Sequence, residues 1–316
     1  MDGSSYFQTP DWVVAWWETL AGRPRTRVAA WRDESGRLEA LVALSRDRQR
    51  LHRRVPLAVR VWANSGSGAG VGDHTAWLVG DGLGDQVSAW LGATLGRSPL
   101  LVRGVAPGWP AQALPSGARE FDSDACPRVA LPLAPETGAP SKDFERQLRR
   151  FTRRIGRKGV RFDWLAPGEL DEPVLRALFE LHAGGREGGS FGIEQLPFHL
   201  ALAARAGPER GPAGVVARNE DGVVGVLYGF WWRDTFAAYQ SGWDRAYARD
   251  GLGNLLVLHA LELAAARGAA TFDFLRGTEP YKYRFGASDS IDRSWLVPRG
   301  PAGALLAARQ WVRARR

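Results

Sequence analysis

The sequence has little sulfur, since its 316 residues include one cysteine, Cys126, and one methionine. A single cysteine excludes an internal disulfide, which favours a reducing compartment. The five histidines are scattered without the spacing of metal ligands, so we predict no metal site. No apolar run approaches the roughly 18 residues of a membrane span, and the first residues lack the basic and apolar regions of a signal peptide. We therefore expect a cytoplasmic protein with no transmembrane segment.

Acidic residues are in the minority, because 34 aspartates and glutamates face 42 lysines and arginines, for a net charge of +8. A basic surface suits an anionic partner such as a nucleotide cofactor, RNA or a membrane face. A GC-rich genome that encodes arginine in place of lysine gives the same composition without any such partner. The chain is 45% hydrophobic with 14 tryptophans, which is typical of a globular protein with an ample core.

The first part of the chain has the pattern of an α/β unit. A threonine and a proline at positions 9 and 10 favour the start of a helix over 10–21. The glycine-rich segment 64–74 matches neither a P-loop nor a dinucleotide fingerprint, so we interpret it as a loop. The proline-rich stretch 131–141 is typical of a linker, and we predict domains over 1–135 and 136–316. The other elements predicted in this part are strands over 26–32, 37–45, 57–62, 99–105 and 128–133 and a helix over 82–95.

A basic amphipathic helix is predicted over 142–159. Its apolar residues recur at helical spacing, and its other faces carry six arginines and Lys158. Such a helix could bind RNA phosphates or an anionic membrane surface. An ordinary solvated helix has the same pattern, so both interpretations stay open. The elements predicted next are a strand over 160–165, a helix over 172–182, a glycine-rich loop over 183–192 and a helix over 195–206.

A glycine turn follows three strands predicted over 214–218, 223–232 and 235–240. Gly251 and Gly253 open a helix predicted over 252–267. The first amides of a helix and its dipole both favour an anion, so the turn predicts an anion-binding site.

The stretch 271–286 contains the candidate active site. Residues 271–275 are β-branched and aromatic, which predicts a strand that Gly277 ends. Glu279 and Pro280 then begin a short helical turn. Polar side chains beyond the carboxyl end of a strand are typical of an active site in an open α/β sheet. A strand over 291–297 and a basic helix over 301–315 are predicted to close the chain.

Several of these residues resemble the signature of the CelD/BcsL-type acetyltransferase domain, a member of the GNAT superfamily of N-acyltransferases. The positions that match its "DF…G…E.YK" pattern are Asp273, Phe274, Gly277, Glu279, Tyr281 and Lys282. The opening of the chain is similar to the usual start of that family at Phe7, Thr9, Pro10 and Trp12. The resemblance implies an α/β fold of two tandem GNAT-like domains, the first degenerate. Each domain is then expected to contain a mixed, mostly antiparallel sheet flanked by helices.

The activity that the resemblance implies is transfer of an acetyl or other acyl group from acyl-CoA to an amine, in polysaccharide or cell-envelope metabolism. Positioned acid–base groups contribute about 10²–10⁴-fold to such a reaction. Tyr281 is the expected acid near the sulfur, and Asp273 or Glu279 is the expected base or amine-orienting group. Lys282 is expected to bind an anion or to support the oxyanion.

The resemblance also assigns coenzyme A to the glycine turn. The GNAT pattern Q/R-x-x-G-x-G/A is matched at both glycines, whereas Ala248 stands at its first position and the arginine follows one residue later. The expected cofactor contacts are Arg249, Asp250, Gly251, Leu252, Gly253 and Asn254. The expected substrate contacts are His182, Asp244 and Arg276, with Asp73 as a minor addition.

Two other functions stay open at this point. Fem-type peptidyltransferases share the tandem GNAT-like architecture and take the acyl group from aminoacyl-tRNA, which the basic helix and the net charge fit. A scaffold that has kept the fold without catalysis is the third interpretation. The acceptor, expected to be a small-molecule, saccharide or peptide amine, and the oligomeric state are not specified by the residues.

Overall fold

The computed structural model describes residues 5–51, 57–67, 72–134, 138–184 and 191–314. The α-helices in these ranges are α1 Pro10–Ala15, α2 Gly84–Leu95, α3 Lys142–Arg157, α4 Glu172–Ala183, α5 Leu196–Ala203, α6 Leu252–Ala266, α7 Pro280–Arg284 and α8 Gly300–Ala314. The strands are β1 Thr26–Arg32, β2 Leu38–Arg50, β3 Ala58–Asn64, β4 Leu78–Val79, β5 Leu100–Val105, β6 Arg119–Ala130, β7 Arg161–Leu165, β8 Arg210–Asn219, β9 Gly222–Trp232, β10 Thr235–Trp243, β11 Thr271–Asp273 and β12 Ser288–Val297.

The chain forms two compact units, Met1–Asp124 with Ile291–Arg316, and Ala125–Ser290. This division differs from the predicted domains 1–135 and 136–316 at both ends. The last part of the chain belongs to the first unit because β12 pairs antiparallel with β5, with Val297 opposite Leu100. The end of β6 belongs to the second unit because it pairs antiparallel with β11. The degenerate GNAT-like character of the first domain stays a prediction.

The first unit contains the strands β1, β2, β3, β5 and β12 in that spatial order, with β4 paired to β2. Val42 and Leu44 of β2 share a buried core with Val87 and Leu91 of α2. Val61 on the other side of the sheet packs with residues of β12 and α8. The helix predicted over 10–21 consists of α1 followed by a π-helical turn, Trp16–Leu20.

The glycine-rich segment 64–74 is described at its two ends, and residues 68–71 lie outside the described residues. Gly66 has a φ of +86°, and its carbonyl accepts a hydrogen bond of 3.1 Å from the indole of Trp12. A Cβ at this position would lie 3.0 Å from that ring. Gly66 thus has a packing role against the buried Trp12 of α1.

The second unit contains β6, β11, β10, β9, β8 and β7 in that order, with β10 and β11 parallel and the other pairs antiparallel. Leu227 and Trp231 of β9 share a core with α3 and α6. Tyr228, on the alternate face, contacts His199 of α5. The mixed, mostly antiparallel sheet flanked by helices confirms the predicted fold class.

Several predicted strands have different bounds from those observed, and two of these differences are explained by their residues. The strand predicted over 128–133 begins much earlier, at Arg119, because exposed polar residues continue its extended backbone. The strand predicted over 271–275 ends at Asp273, because Leu275 adopts a φ of +57° that an extended strand does not allow. Among the residues that the structure describes, no helix has the length and apolar character needed to cross a membrane.

Candidate active site

The predicted glycine turn forms the N-terminus of α6. Gly251 is the N-cap residue and has a φ of +73°, in the left-handed region that glycine favours. A Cβ at Gly251 would clash with the ring of Phe151 from α3. A Cβ at Gly253 would lie 2.8 Å from the indole nitrogen of Trp243. Both glycines are therefore needed for close packing around the helix start.

The backbone amides at the start of α6 define an anion-binding geometry. Because glycine has no side chain to accept their hydrogen bonds, the first amides, from Leu252 to Asn254, depend on other acceptors. Leu252 is fully buried, whereas Asn254 is half-buried. The amides and the helix dipole together favour a negatively charged ligand at this end of α6.

Two basic side chains of α3 and its C-cap extend to this turn. Lys158 forms an ion pair of 2.5 Å with Asp250, and the guanidinium of Arg154 donates a 3.2 Å hydrogen bond to the carbonyl of Arg249. Lys158 also lies 5.1 Å from the centre of the Tyr247 ring. Positive charge therefore adjoins the helix start, and the carboxylate of Asp250 is neutralised by an ion pair.

The buried side of α3 connects the glycine turn to α7. Phe151 packs beneath Gly251, and Phe144 packs edge-to-face on Phe285, directly after α7, with ring centres 5.0 Å apart. The two phenylalanines are seven residues apart, which is about 10 Å along a helix axis. The same helix therefore places both predicted motifs within reach of one extended ligand.

The pairing of the parallel strands β10 and β11 is short. It covers Thr235–Ala237 and Thr271–Asp273, after which β11 ends and β10 continues to Trp243. The register between β10 and β9 also shifts between Ala238 and Gln240, which marks a bulge. Open α/β sheets bind ligands beyond the carboxyl ends of their strands, and the loop before α7 follows that end of β11.

Asp273 supports the loop that follows β11. Its Oδ1 accepts a 2.7 Å hydrogen bond from the amide of Leu275, and its Oδ2 lies 2.6 Å from Nε of Arg128. Leu275 has a φ of +57°, a conformation that costs a non-glycine residue about 1–2 kcal/mol. Asp273 is buried, so in this geometry it stabilises the strained loop. Its predicted role as a base stays a prediction, and the loop contacts give it a positioning role.

Lys282 links the same loop to α7. Its ammonium group donates hydrogen bonds of 3.0–3.1 Å to the carbonyls of residues 275, 276 and 277. It also forms a 2.9 Å ion pair with Glu279, and its side chain is 3% exposed. An ammonium group has three donor hydrogens, and the three carbonyls account for them. This geometry differs from the predicted anion-binding role, because Lys282 is already surrounded by acceptors of the protein itself.

Tyr281 and Glu279 are the accessible members of the predicted catalytic set, each 39% exposed. The Tyr281 ring lies edge-to-face against Phe274, with centres 6.2 Å apart. Tyr283 on the same helix is exposed to a similar extent, but its hydroxyl donates a 2.8 Å hydrogen bond to Asp289. That hydrogen bond raises the pKa of Tyr283.

The predicted substrate contacts lie at three places in the second unit. His182, at the end of α4, donates from Nδ1 to the carbonyl of Ser241 at 2.9 Å, which makes Nε2 its acceptor nitrogen. Gly242 permits this approach, because a Cβ there would lie 2.6 Å from the His182 amide.

Asp244 accepts a hydrogen bond of 2.9 Å from the amide of Ala246, between β10 and α6. Arg276 is exposed, and its carbonyl is one of the Lys282 acceptors.

Some of the predicted site residues lie outside the described residues or in the first unit. The loop predicted over 183–192 lies outside the described residues from 185 to 190, including its arginine, glutamate and serine. Asp73 is half-buried in the first unit. Arg128, in contrast, was not predicted from the sequence, since it is 145 residues from the carboxylate with which it pairs.

A buried histidine of the second unit was not singled out by the sequence either. His199 lies on α5 with Nδ1 3.0 Å from the hydroxyl of Tyr228. Aromatic rings surround it, including those of Phe191 and Tyr239. Burial lowers the pKa of His199 to about 3, so the ring is neutral at physiological pH.

Comparisons with known proteins give the same fold. Residues 142–283 match the family model described as "Acetyltransferase (GNAT) domain", whereas no curated protein matches the chain. FemX is similar in structure, with a TM-score of 0.63, 9% identity and coverage of 92% of each chain. L-PGS from Bacillus licheniformis has a TM-score of 0.57, 14% identity and coverage of 98% of each chain. A tandem GNAT protein from the clavulanic acid biosynthesis pathway has a TM-score of 0.50 and 14% identity, over 93% of this chain and 89% of that chain.

The family match lies within the second unit and includes the glycine turn and the Tyr281–Lys282 pair. Residues 142–283 of the second unit are therefore similar to acetyltransferase domains of GNAT type. The structural neighbours agree with this fold over most of the chain. The finer assignment to the CelD/BcsL type stays a prediction.

Proposed function

We propose that the protein is an N-acyltransferase that moves an acetyl or other acyl group from acyl-CoA to an amine. The observation that carries this proposal is the glycine N-terminus of α6, which follows the carboxyl end of β10 in the chain. A diphosphate fits the amides from Leu252 to Asn254, and Arg154 and Lys158 add positive charge next to them. The thioester of a bound acyl-CoA would then lie toward α7, because α3 packs against both the glycine turn and the residue that follows α7.

The chemistry is a direct attack of the amine nitrogen on the thioester carbonyl. The new C–N bond forms as the C–S bond breaks, the nitrogen loses a proton, and the departing thiolate gains one. Tyr281 is the proposed proton donor to sulfur, and Glu279 is the proposed acceptor of the amine proton. Both side chains are accessible, whereas Asp273 and Lys282 hold the loop between them and act as positioning residues.

A second candidate donor is aminoacyl-tRNA, as in the Fem-type transferases. Two observations support it: the exposed arginines of α3 and the similarity in fold to FemX and L-PGS. The same attack of an amine would then take place on an ester, and the tRNA would be the partner. A small-molecule, saccharide or peptide amine of polysaccharide or cell-envelope metabolism is the proposed acceptor, and the lone cysteine supports a cytoplasmic location.

The proposal is tested by measuring release of free coenzyme A from acetyl-CoA with a panel of amino sugars, diamines and peptides. We expect acceptor-dependent release by the wild-type protein. Tyr281→Phe is expected to reduce the rate about 10²-fold or more, because it removes the proton donor. Tyr283→Phe removes a hydroxyl of similar exposure from the same helix and is the matched control. Equal rates for Tyr281→Phe and Tyr283→Phe would contradict the role of Tyr281, and release from aminoacyl-tRNA alone would favour the second donor.

A further inference from the structure

One face of the β1–β2–β3 sheet in the first unit is rich in arginine, and we call the surface formed by five of these residues the arginine face: Arg25, Arg27, Arg46, Arg48 and Arg60. Arg48 is directly opposite Arg60 in the register of β2 and β3. The amide of Arg46 bonds to the carbonyl of Arg25, which places these two residues side by side on neighbouring strands. Arg46 and Arg48 are two residues apart on β2, so their side chains emerge on the same face about 7 Å apart.

The arginine face lacks compensating charge. Among the residues that the structure describes, no carboxylate lies within ion-pair distance of these five guanidinium groups. Asp47, between two of them, points to the other face and lies 3.8 Å from Arg103. Burial and the positive charges of Arg25, Arg60 and Arg27 lower the pKa of Arg46, which confirms that the groups are close together. Like charges opposite each other destabilise a sheet, so a polyanion would relieve an existing repulsion.

The shape of the arginine face favours a phosphodiester chain over a bilayer. Binding to a bilayer surface gains strength from apolar side chains that insert beside the basic residues. Trp62 is 3% exposed and lies beneath the guanidinium of Arg46, 4.1 Å away. Among the described residues of these strands and their flanks, the large exposed aliphatic side chains are those of Val28 and Leu57, which are at positions of the opposite face. Guanidinium groups spaced regularly along a strand instead match the repeating, bidentate acceptors of successive phosphates.

We propose that the arginine face binds the phosphate backbone of RNA. The contacts are to phosphate oxygens, so binding is expected to be largely independent of base sequence. The proposal does not depend on the proposed acyltransferase activity, because the arginine face is on the first unit and is tested by binding alone.

The test measures binding of a fluorescein-labelled oligouridine to the full-length protein by fluorescence anisotropy over a series of salt concentrations. Arg48→Gln combined with Arg60→Gln removes two charges from the arginine face. Arg119→Gln combined with Arg161→Gln removes two exposed charges that belong neither to the arginine face nor to α3 and is the matched control for net charge. Each phosphate contact to a single strand contributes about 0.7 to the slope of log K against log salt, so the first variant should lower the slope by about 1.4.

The control variant should lower the slope of log K against log salt by less than half as much as the arginine-face variant does. Thermal unfolding should give an equal or higher Tm for the Arg48→Gln, Arg60→Gln variant, because a like-charge pair is removed. Equal losses of salt slope in the two variants, or no binding of oligouridine by the wild type, would overturn the proposal. Binding to vesicles of phosphatidylcholine and phosphatidylglycerol that depends on the arginine face, with no binding of oligouridine, would assign the surface to a membrane instead.

Discussion

The ammonium group of Lys282 lies 2.9 Å from the carboxylate of Glu279 and donates to three backbone carbonyls of the loop that follows β11. The loop contains Leu275 in a left-handed conformation. Lys282 and Glu279 were both predicted as catalytic from the sequence, yet one is buried in backbone contacts and the other is accessible. Lys282 is therefore interpreted as a positioning residue, and Glu279 is the candidate for proton transfer.

Lys282→Met is expected to destabilise the protein strongly. Removing one partner of a buried, hydrogen-bonded charge pair costs about 3–5 kcal/mol, and three carbonyls lose their donor. Glu279→Gln is the matched control, because it removes the ion pair but leaves the three carbonyl acceptors of Lys282 in place, so a smaller loss of stability is expected. Urea denaturation measures both changes. Unfolding of Lys282→Met at the same urea concentration as the wild type would show that the carbonyl contacts do not stabilise the loop.

Two substitutions of Asp273 separate its two contacts. Asp273→Asn keeps an acceptor for the Leu275 amide but loses the charge that faces Arg128, for an expected cost of about 1.5–3 kcal/mol. Asp273→Ala loses both contacts and is expected to cost about 1 kcal/mol more. The free energies of unfolding from denaturant titrations check this order. Equal stability of the two variants would mean that the amide contact contributes nothing.

Gly251 and Gly268 form a natural comparison, because both have positive φ but only Gly251 packs tightly. Gly268→Ala is expected to cost about 1–2 kcal/mol from the backbone conformation alone, since no described atom lies within 4 Å of its Cβ position. Gly251→Ala should cost a further 1–3 kcal/mol, roughly, from its clash with Phe151. Denaturant titrations of both variants measure the difference.

A double variant tests the cause of that difference. Phe151→Leu removes the ring that the added Cβ would meet, so the two substitutions should be less costly together than the sum of their separate costs. Strict additivity would contradict packing as the reason for glycine at position 251.

His199 makes the stability depend on pH. Its pKa in the folded protein is about 3, because burial disfavours the charged ring, whereas the unfolded chain has the ordinary value of 6.5. Between these values the unfolded state binds the proton and the folded state does not, so stability falls as the pH falls below about 6.5. Above pH 6.5 both states are neutral at this residue, and its contribution is constant.

The expected loss from His199 between pH 7.5 and pH 5 is about 2 kcal/mol, at about 1.4 kcal/mol per pH unit below the unfolded pKa. His199→Gln cannot titrate and should remove that part of the pH dependence while keeping a partner for Tyr228. The free energy of unfolding of both proteins at the two pH values gives the comparison. An identical loss in wild type and variant would show that His199 is protonated in the folded protein.

Much of the second unit could be predicted from the sequence because its signals are local. The apolar spacing of α3 identifies the face that is buried, and the glycines at 251 and 253 mark the start of α6. The helical turn at Glu279 and Pro280 was predicted for the same reason, since a proline is favoured in the first turn of a helix.

The parts that were missed depend on distant residues or on backbone direction. The pairing of β12 with β5 joins residues nearly 200 apart in the chain, and no local pattern indicates it. The role of Lys282 depends on three carbonyls that converge because Leu275 and Gly277 have positive φ. A sequence motif shows that a lysine is present but not which acceptors surround it.

The most direct test of the proposed function is calorimetric titration of acetyl-CoA into the wild type, Asn254→Glu and Ala266→Glu. Asn254 is the third residue of α6, where an added carboxylate favours the helix but repels a diphosphate at its N-terminus. Ala266→Glu adds the same charge at the other end of the helix. The account predicts micromolar binding by the wild type and by Ala266→Glu, and at least tenfold weaker binding by Asn254→Glu. No binding by the wild type at millimolar acetyl-CoA, or equal binding by all three proteins, would contradict a coenzyme A site at the start of α6.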